Sequence, residues 1–151
     1  MPHTPYPRIL VATNGSSLSK KAVRSSIHLA SALGADLVAL YVVPRYPTNY
    51  FTAGTSISMD DVSRAESQWA SKGQAVVDAV ARSAKEDGVK TKAVILRSDL
   101  VAESVLAAAK KYTCDLIVMA SHGRKGIKRL LLGSETQHVL THSNIPVLVL
   151  R

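Results

Sequence analysis

The sequence predicts an α/β fold, a parallel β-sheet sandwiched between two layers of helix, and three observations carry that expectation. Five short aliphatic runs recur along the chain, mostly apolar on both alternating faces, as strands covered by helices on both sides must be. Between them lie segments whose apolar residues repeat at three- and four-residue steps, the period of an amphipathic helix. The resulting order, β-α-β-α-β-α-β-α-β, is that of a three-layer α/β/α sandwich. At 151 residues, with no internal repeat or linker, one domain spanning residues 1–151 is expected.

Arg8 to Ala12 is the first run, stopped by Thr13-Asn14-Gly15-Ser16-Ser17, a cluster of turn and capping residues. From Ser19 to Leu33, Ala22, Val23, Ile27, Leu29, Ala30 and Leu33 mark the first helix, with Gly34 just past its end. Asp36 to Val43 is the second strand, ended by Pro44. Pro44 to Met59 has no period and reads as a long loop. Asp60 to Asp87, with Val62, Trp69, Gly73, Val76, Val77, Val80 and Ala84 on one face, predicts the longest helix, with Gly88 as its stop. Lys92 to Arg97 is the third strand, and Asp99 is placed to cap a helix through Val101, Val105, Leu106 and Ala109. Asp115 to Ala120 is the fourth strand. Ser134 is placed to cap a short helix to about Thr141, and Pro146 opens the last strand, Val147 to Leu150.

In parallel sheets of this kind, ligands sit beyond the carboxyl ends of the strands, where the winding reverses. Two such loops have unusual chemistry: Thr13 to Ser16 after the first strand, and Ala120 to Ser134 after the fourth. In the second loop Gly123 and Gly126 let backbone N–H groups approach a ligand closely, and Gly133-Ser134 sets amide and hydroxyl donors at the positive end of a helix. That combination can cradle phosphate. Arg124, Lys125, Lys128 and Arg129 lie between its two halves. The chain carries 19 Lys and Arg against 11 Asp and Glu, a formal charge of +8, which points to an anionic partner. Those four residues account for half of the surplus, which narrows the expectation to a small anionic ligand.

Other chemistries find less support. No Walker P-loop or G-x-G-x-x-G string occurs. Ser121-His122 after the fourth strand has the flavour of a nucleophile elbow, but adjacent side chains are expected to be poorly placed to pair, and no triad is predicted. His138 and His142 share a helical face without the glutamate or third ligand of a zinc site, so a surface or partner-facing pair is expected. Cys114 is the single cysteine, adjoins a strand start as a small apolar residue would, and can close no internal disulfide. Aromatics are 5% of residues and no nucleic-acid motif occurs, so nucleic acid is not the expected partner. No apolar run reaches the roughly 18 residues of a membrane span, and Met1 to Pro7 lacks a signal-peptide pattern, so a cytoplasmic protein is expected.

Taken together these residues resemble the universal stress protein family, whose nucleotide-binding members carry G-x2-G-x9-G-[S/T] after the fourth strand. Here Ala120, Gly123 and Gly133-Ser134 stand in that register, and Ile9 to Ser16, Leu40 to Val43 and Ile145 to Val149 resemble the family's first, second and closing strands. The resemblance implies a Rossmann-like, adenine nucleotide alpha-hydrolase-like fold with strand order 3-2-1-4-5, which brings the two loops together. It implies ATP or a related adenine nucleotide, with adenine near Val42 and Met119, ribose near Thr13, Asn14 and Ala120, and Ala12 also among the nucleotide-binding residues. Phosphates would lie against Gly123, Gly133, Ser134, Glu135 and Thr136, with Mg2+ or Mn2+ held mainly through phosphate oxygens. It also implies a homodimer through the last strand; a separate hypothesis is that ATP orders the Pro44 to Met59 loop or the 124–129 segment and so alters the surface met by a protein partner. Two residues depart from the pattern: Asn14 stands where Asp is usual, and Ala120 at the first glycine. The sequence offers no general base for the γ-phosphate, so a signalling module is expected rather than an enzyme; a slow ATPase, or an interaction dimer that does not bind nucleotide, are the alternatives.

Overall fold

The computed structural model describes residues 4–45, 58–122 and 132–151. Among them the chain runs β1 (Arg8–Ala12), α1 (Ser17–Leu33), β2 (Asp36–Val43), α2 (Met59–Glu86), β3 (Thr91–Arg97), α3 (Val101–Lys111), β4 (Leu116–Ala120), α4 (Ser134–His142) and β5 (Val147–Leu150). All strand pairs are parallel, and the order is β3-β2-β1-β4-β5. The winding therefore reverses between β1 and β4. The loop from Tyr46 to Ile57 and the basic segment Arg124 to Arg129 lie outside the described residues.

The aliphatic runs become strands because their alternate side chains have two cores to enter. Ile9, Val11, Leu37, Ala39, Tyr41 and Val118 point to the face covered by α1 and α2, where they meet Ala22, Ile27, Val77 and Val80. Leu10, Val38, Leu40, Ile117 and Met119 point to the other face, against Val105, Ala108 and Ala109 of α3 and Val139 of α4. Each large side chain taken fully out of water contributes roughly 1.5–3 kcal/mol, which is why a strand with both faces aliphatic can only be central. No helix among the described residues is long and apolar enough to cross a membrane.

The helix ends show where local reading succeeded and where it did not. Ser16 caps α1, its side chain accepting the Ser19 N–H, so the helix begins two residues before the periodic stretch; Gly34 ends it at φ 67°. Gly88, at φ 74°, follows the end of α2 as expected. The expectation that Asp99 caps α3 is wrong. Asp99 Oδ1 accepts the Arg45 N–H beyond β2, and the cap position belongs to Leu100, which has no side-chain acceptor. Ser134 is not a cap either: Gly133 occupies that position in extended conformation, and Ser134 is the first helical residue.

Candidate functional site

The candidate site lies beyond the carboxyl ends of β1 and β4, where the winding reverses. Because these strands are hydrogen-bonded neighbours, the turn after β1 and Ser121 after β4 start side by side, and the amino ends of α1 and α4 both lie at that side of the sheet. Each helix start carries about half a positive charge and N–H groups with no partner in the helix. α1 has no acidic residue in its first turn.

The first wall is built from Ala12, Thr13 and Asn14. Thr13 extends the ladder by donating its N–H to Leu40 O (2.9 Å), and its buried hydroxyl meets Ser19 Oγ at 3.0 Å while accepting the Gly15 N–H at 3.2 Å. Asn14 Oδ1 accepts the Ser16 N–H at 2.9 Å, a side-chain turn that folds the loop towards the Ser16 cap. One lone pair of that carbonyl is thereby engaged by the protein. Ser19 completes this network, and sequence reading gave it no role, since its link to Thr13 forms only when the turn closes.

The second wall follows β4. Met119 and Ala120 are buried, and Ala120 remains in the ladder opposite Leu150. Thr113 is the only non-glycine residue with positive φ among the described residues, so Ala120 sits where a methyl group is tolerated. Ser121 then ties the segment together: its N–H donates to Leu150 O and its carbonyl accepts the Gly133 N–H, each at 2.7 Å. This clasp returns the chain to α4 beside the end of β4. Gly123 lies outside the described residues. Ala12, Val42 and Met119 belong to the same sheet face, the one packed by α3 and α4.

α4 presents its residues unequally. Thr136 is 2% exposed and its hydroxyl donates to Ala120 O at 2.9 Å, bracing the helix on the strand. Glu135 turns its carboxylate away and accepts the Ala102 N–H at 3.1 Å. It thus supplies, from a distant segment, the cap that neither Leu100 nor Asp99 gives α3. What Glu135 and Thr136 can offer the crevice is backbone N–H, alongside the amide and hydroxyl of Ser134. Gly133 provides no side-chain cap for these donors.

Ser121 Oγ and His122 Nδ1 lie 3.0 Å apart, contrary to the expectation that neighbours would not pair. The strand ends at Ala120 and the chain bends at Ser121, so side-chain alternation no longer separates residues i and i+1. With Ser121 only 2% exposed, its hydroxyl is withheld from a bulky acyl substrate. His138 and His142 stack at 4.3 Å between ring centroids, and His138 Nε2 lies 3.6 Å from Glu103 Oε1 at the surface. Among the described residues no three His, Cys, Asp or Glu are grouped to hold a metal ion. Cys114 is buried, and desolvation pushes its thiol up to about 11 despite the opposing charge of Arg8.

Comparison with known proteins agrees with this architecture. The family model of the Universal stress protein family matches residues 5–151. A curated relative, universal stress protein MJ0531 of Methanocaldococcus jannaschii, is 32% identical over 97% of this chain and 82% of its own length. The solved structure of MJ0577 superposes with a TM-score of 0.81 at 23% identity, covering 97% of this chain and 96% of that one. A universal stress protein in complex with cAMP (TM-score 0.67, 21% identity, 97% and 98% covered) and one from Archaeoglobus fulgidus in complex with dAMP (0.63, 16%, 97% and 99%) share the fold.

Proposed function

The chain belongs to the universal stress protein family, and on that premise we propose that it is a nucleotide-responsive signalling module that binds ATP or a related adenine nucleotide in the crevice between β1 and β4. The observation that carries this reading is the pair of helix starts at adjacent strand ends, with α4 capped by a glycine that itself offers its N–H groups no side-chain acceptor. The nucleotides held by two proteins of the same fold are adenine nucleotides.

In this reading adenine packs near Val42 and Met119, and ribose meets Thr13, Asn14 and Ala120 beside Ala12. Phosphates lie against Gly123, Ser134 and the backbone of Gly133, Glu135 and Thr136. The carboxylate of Glu135 is engaged with Ala102, so Mg2+ or Mn2+ would be carried by phosphate oxygens, where it neutralises charge; the protein's part is to bind and orient. Signalling output goes through a homodimer formed by β5, the edge strand, whose Leu148 is 38% exposed.

Calorimetric titration with MgATP tests the reading. Saturable heat with a rise in melting temperature is expected; no heat and no thermal shift would overturn it. A second reading, an interaction dimer without nucleotide, is favoured by Asn14, whose carbonyl already accepts the Ser16 N–H. Sedimentation separates the dimer from the ligand question, since a monomer at all concentrations would remove the β5 interface.

A further inference from the structure

At the opposite end of the sheet is a cleft of about 410 Å3 lined by Arg8, Asp36, Leu37, Val38, Lys90, Thr91, Lys92 and Tyr112. The register explains its composition. Arg8 pairs with Asp36, and Val38 with Lys92; these positions share the parity of Leu10 and so face the α3 side. The carboxyl end of α3 and Tyr112 rise beside them, while Val38 is buried in the floor. β1 is five residues long, so this cleft is roughly 16 Å from the nucleotide crevice at about 3.3 Å per residue.

The cations here are held without being neutralised. The Arg8 guanidinium donates to two uncharged acceptors, Tyr112 O at 2.7 Å and Thr113 Oγ1 at 3.0 Å. Lys92 Nζ and Lys111 Nζ lie 5.1 and 5.5 Å from the centroid of the Tyr112 ring, contacts that position an ammonium while leaving its charge intact. Among the described residues the ion pairs are Arg97–Glu66 and His138–Glu103, so none involves Arg8, Lys90, Lys92 or Lys111. Against Arg8, Lys90 and Lys92 of the lining, with Lys111 beside the Tyr112 ring, stand Asp36 and, behind Arg8, Asp115, whose carboxylate accepts the Arg8 N–H. Part of the surplus of positive charge outside the 124–129 segment thus has a place in the fold.

We propose that this cleft is a second ligand site that takes a small phosphate-bearing anion. Its volume falls in the range of small-molecule sites. Its chemistry is that of phosphate recognition: a fixed guanidinium, ammonium groups and an aromatic wall. The site is independent of the nucleotide crevice and stands or falls separately from it.

Inorganic pyrophosphate is the probe, titrated into the full-length chain at low salt, with binding followed by calorimetry and by backbone amide shifts. Saturable binding with shifts at Lys90 to Lys92 and Tyr112 to Thr113 is expected. The exposed pair Lys90→Gln/Lys92→Gln should weaken it at least about tenfold, whereas Lys20→Gln/Lys21→Gln on α1 should leave it unchanged. Absence of binding, shifts confined to Ser134 to Thr136, or equal weakening by both lysine pairs would each overturn the proposal.

Discussion

Gly73 tests how α2 is seated on the sheet, and with it how β2 presents Val42 to the crevice. A methyl group at Gly73 would lie 2.7 Å from Tyr41 Cδ1, 3.0 Å from Cε1 and 3.2 Å from Cγ, inside the roughly 3.5–4.0 Å at which carbon atoms pack best. Tyr41 is 3% exposed and belongs to β2, so its ring has no solvent to move into. Two effects of Gly73→Ala oppose each other. Helix propensity favours alanine by roughly 0.8–1.0 kcal/mol, while overpacking a filled core costs about 1–3 kcal/mol. The contact involves three ring atoms of a buried side chain, which puts the cost in the upper part of that range and leaves a net loss of about 1–2 kcal/mol. For a chain of this size the melting temperature should fall by roughly 3–6 °C. Urea unfolding should show a lower midpoint with an unchanged slope. In a Tyr41→Val background the same substitution should cost less, because the ring edge it strikes is gone. A Gly73→Ala protein as stable as the parent, or a cost that does not depend on residue 41, would refute the reasoning.

Three further outcomes follow from the described contacts. Glu135→Ala should lower stability by about 1 kcal/mol in denaturant titration, since it removes the acceptor capping α3 through Ala102; an unchanged midpoint would mean α3 does not need it. Asn14→Asp should strengthen adenine-nucleotide binding by about fivefold in calorimetry, because a carboxylate can accept from both Ser16 N–H and a ribose hydroxyl and makes the stronger bond; weaker binding would place the ribose elsewhere. The Cys114 thiol titrates at about 11 in the folded chain against an ordinary 9.0. The folded state therefore holds its proton longer: the associated stability is complete below pH 9 and is lost as the pH rises from 9 towards 11. Alkylation of Cys114 should be slow at pH 8 until the chain unfolds, and Cys114→Ala should flatten the decline above pH 9.

Much of the fold was legible because it is written locally. Ile9 to Val11, Leu37 to Leu40 and Leu116 to Met119 are aliphatic on both faces, a pattern that suits only a strand between two helical layers. Gly34 and Gly88 mark helix ends because positive φ is a property of single residues. The two loops proposed to hold the nucleotide could be singled out for the same reason, by their glycines, hydroxyls and positions after strands.

The structure decided what depends on residues far apart in the chain. Asp99 has the composition of a cap, yet the β2 and β3 ends bring it to the Arg45 N–H, and Glu135, 33 residues from Ala102, does the capping instead. Thr136 and Glu135 lie in the motif segment, but their side chains brace Ala120 and α3. The basic cleft around Tyr112 joins residues from β1, β2, β3 and the end of α3, a set no window of sequence contains. Propensity and periodicity act over a turn or a strand, and so the sequence alone determined the elements and their layers. A hydrogen bond or an unneutralised charge depends on which groups the finished sheet brings within reach, and only the tertiary structure could assign those.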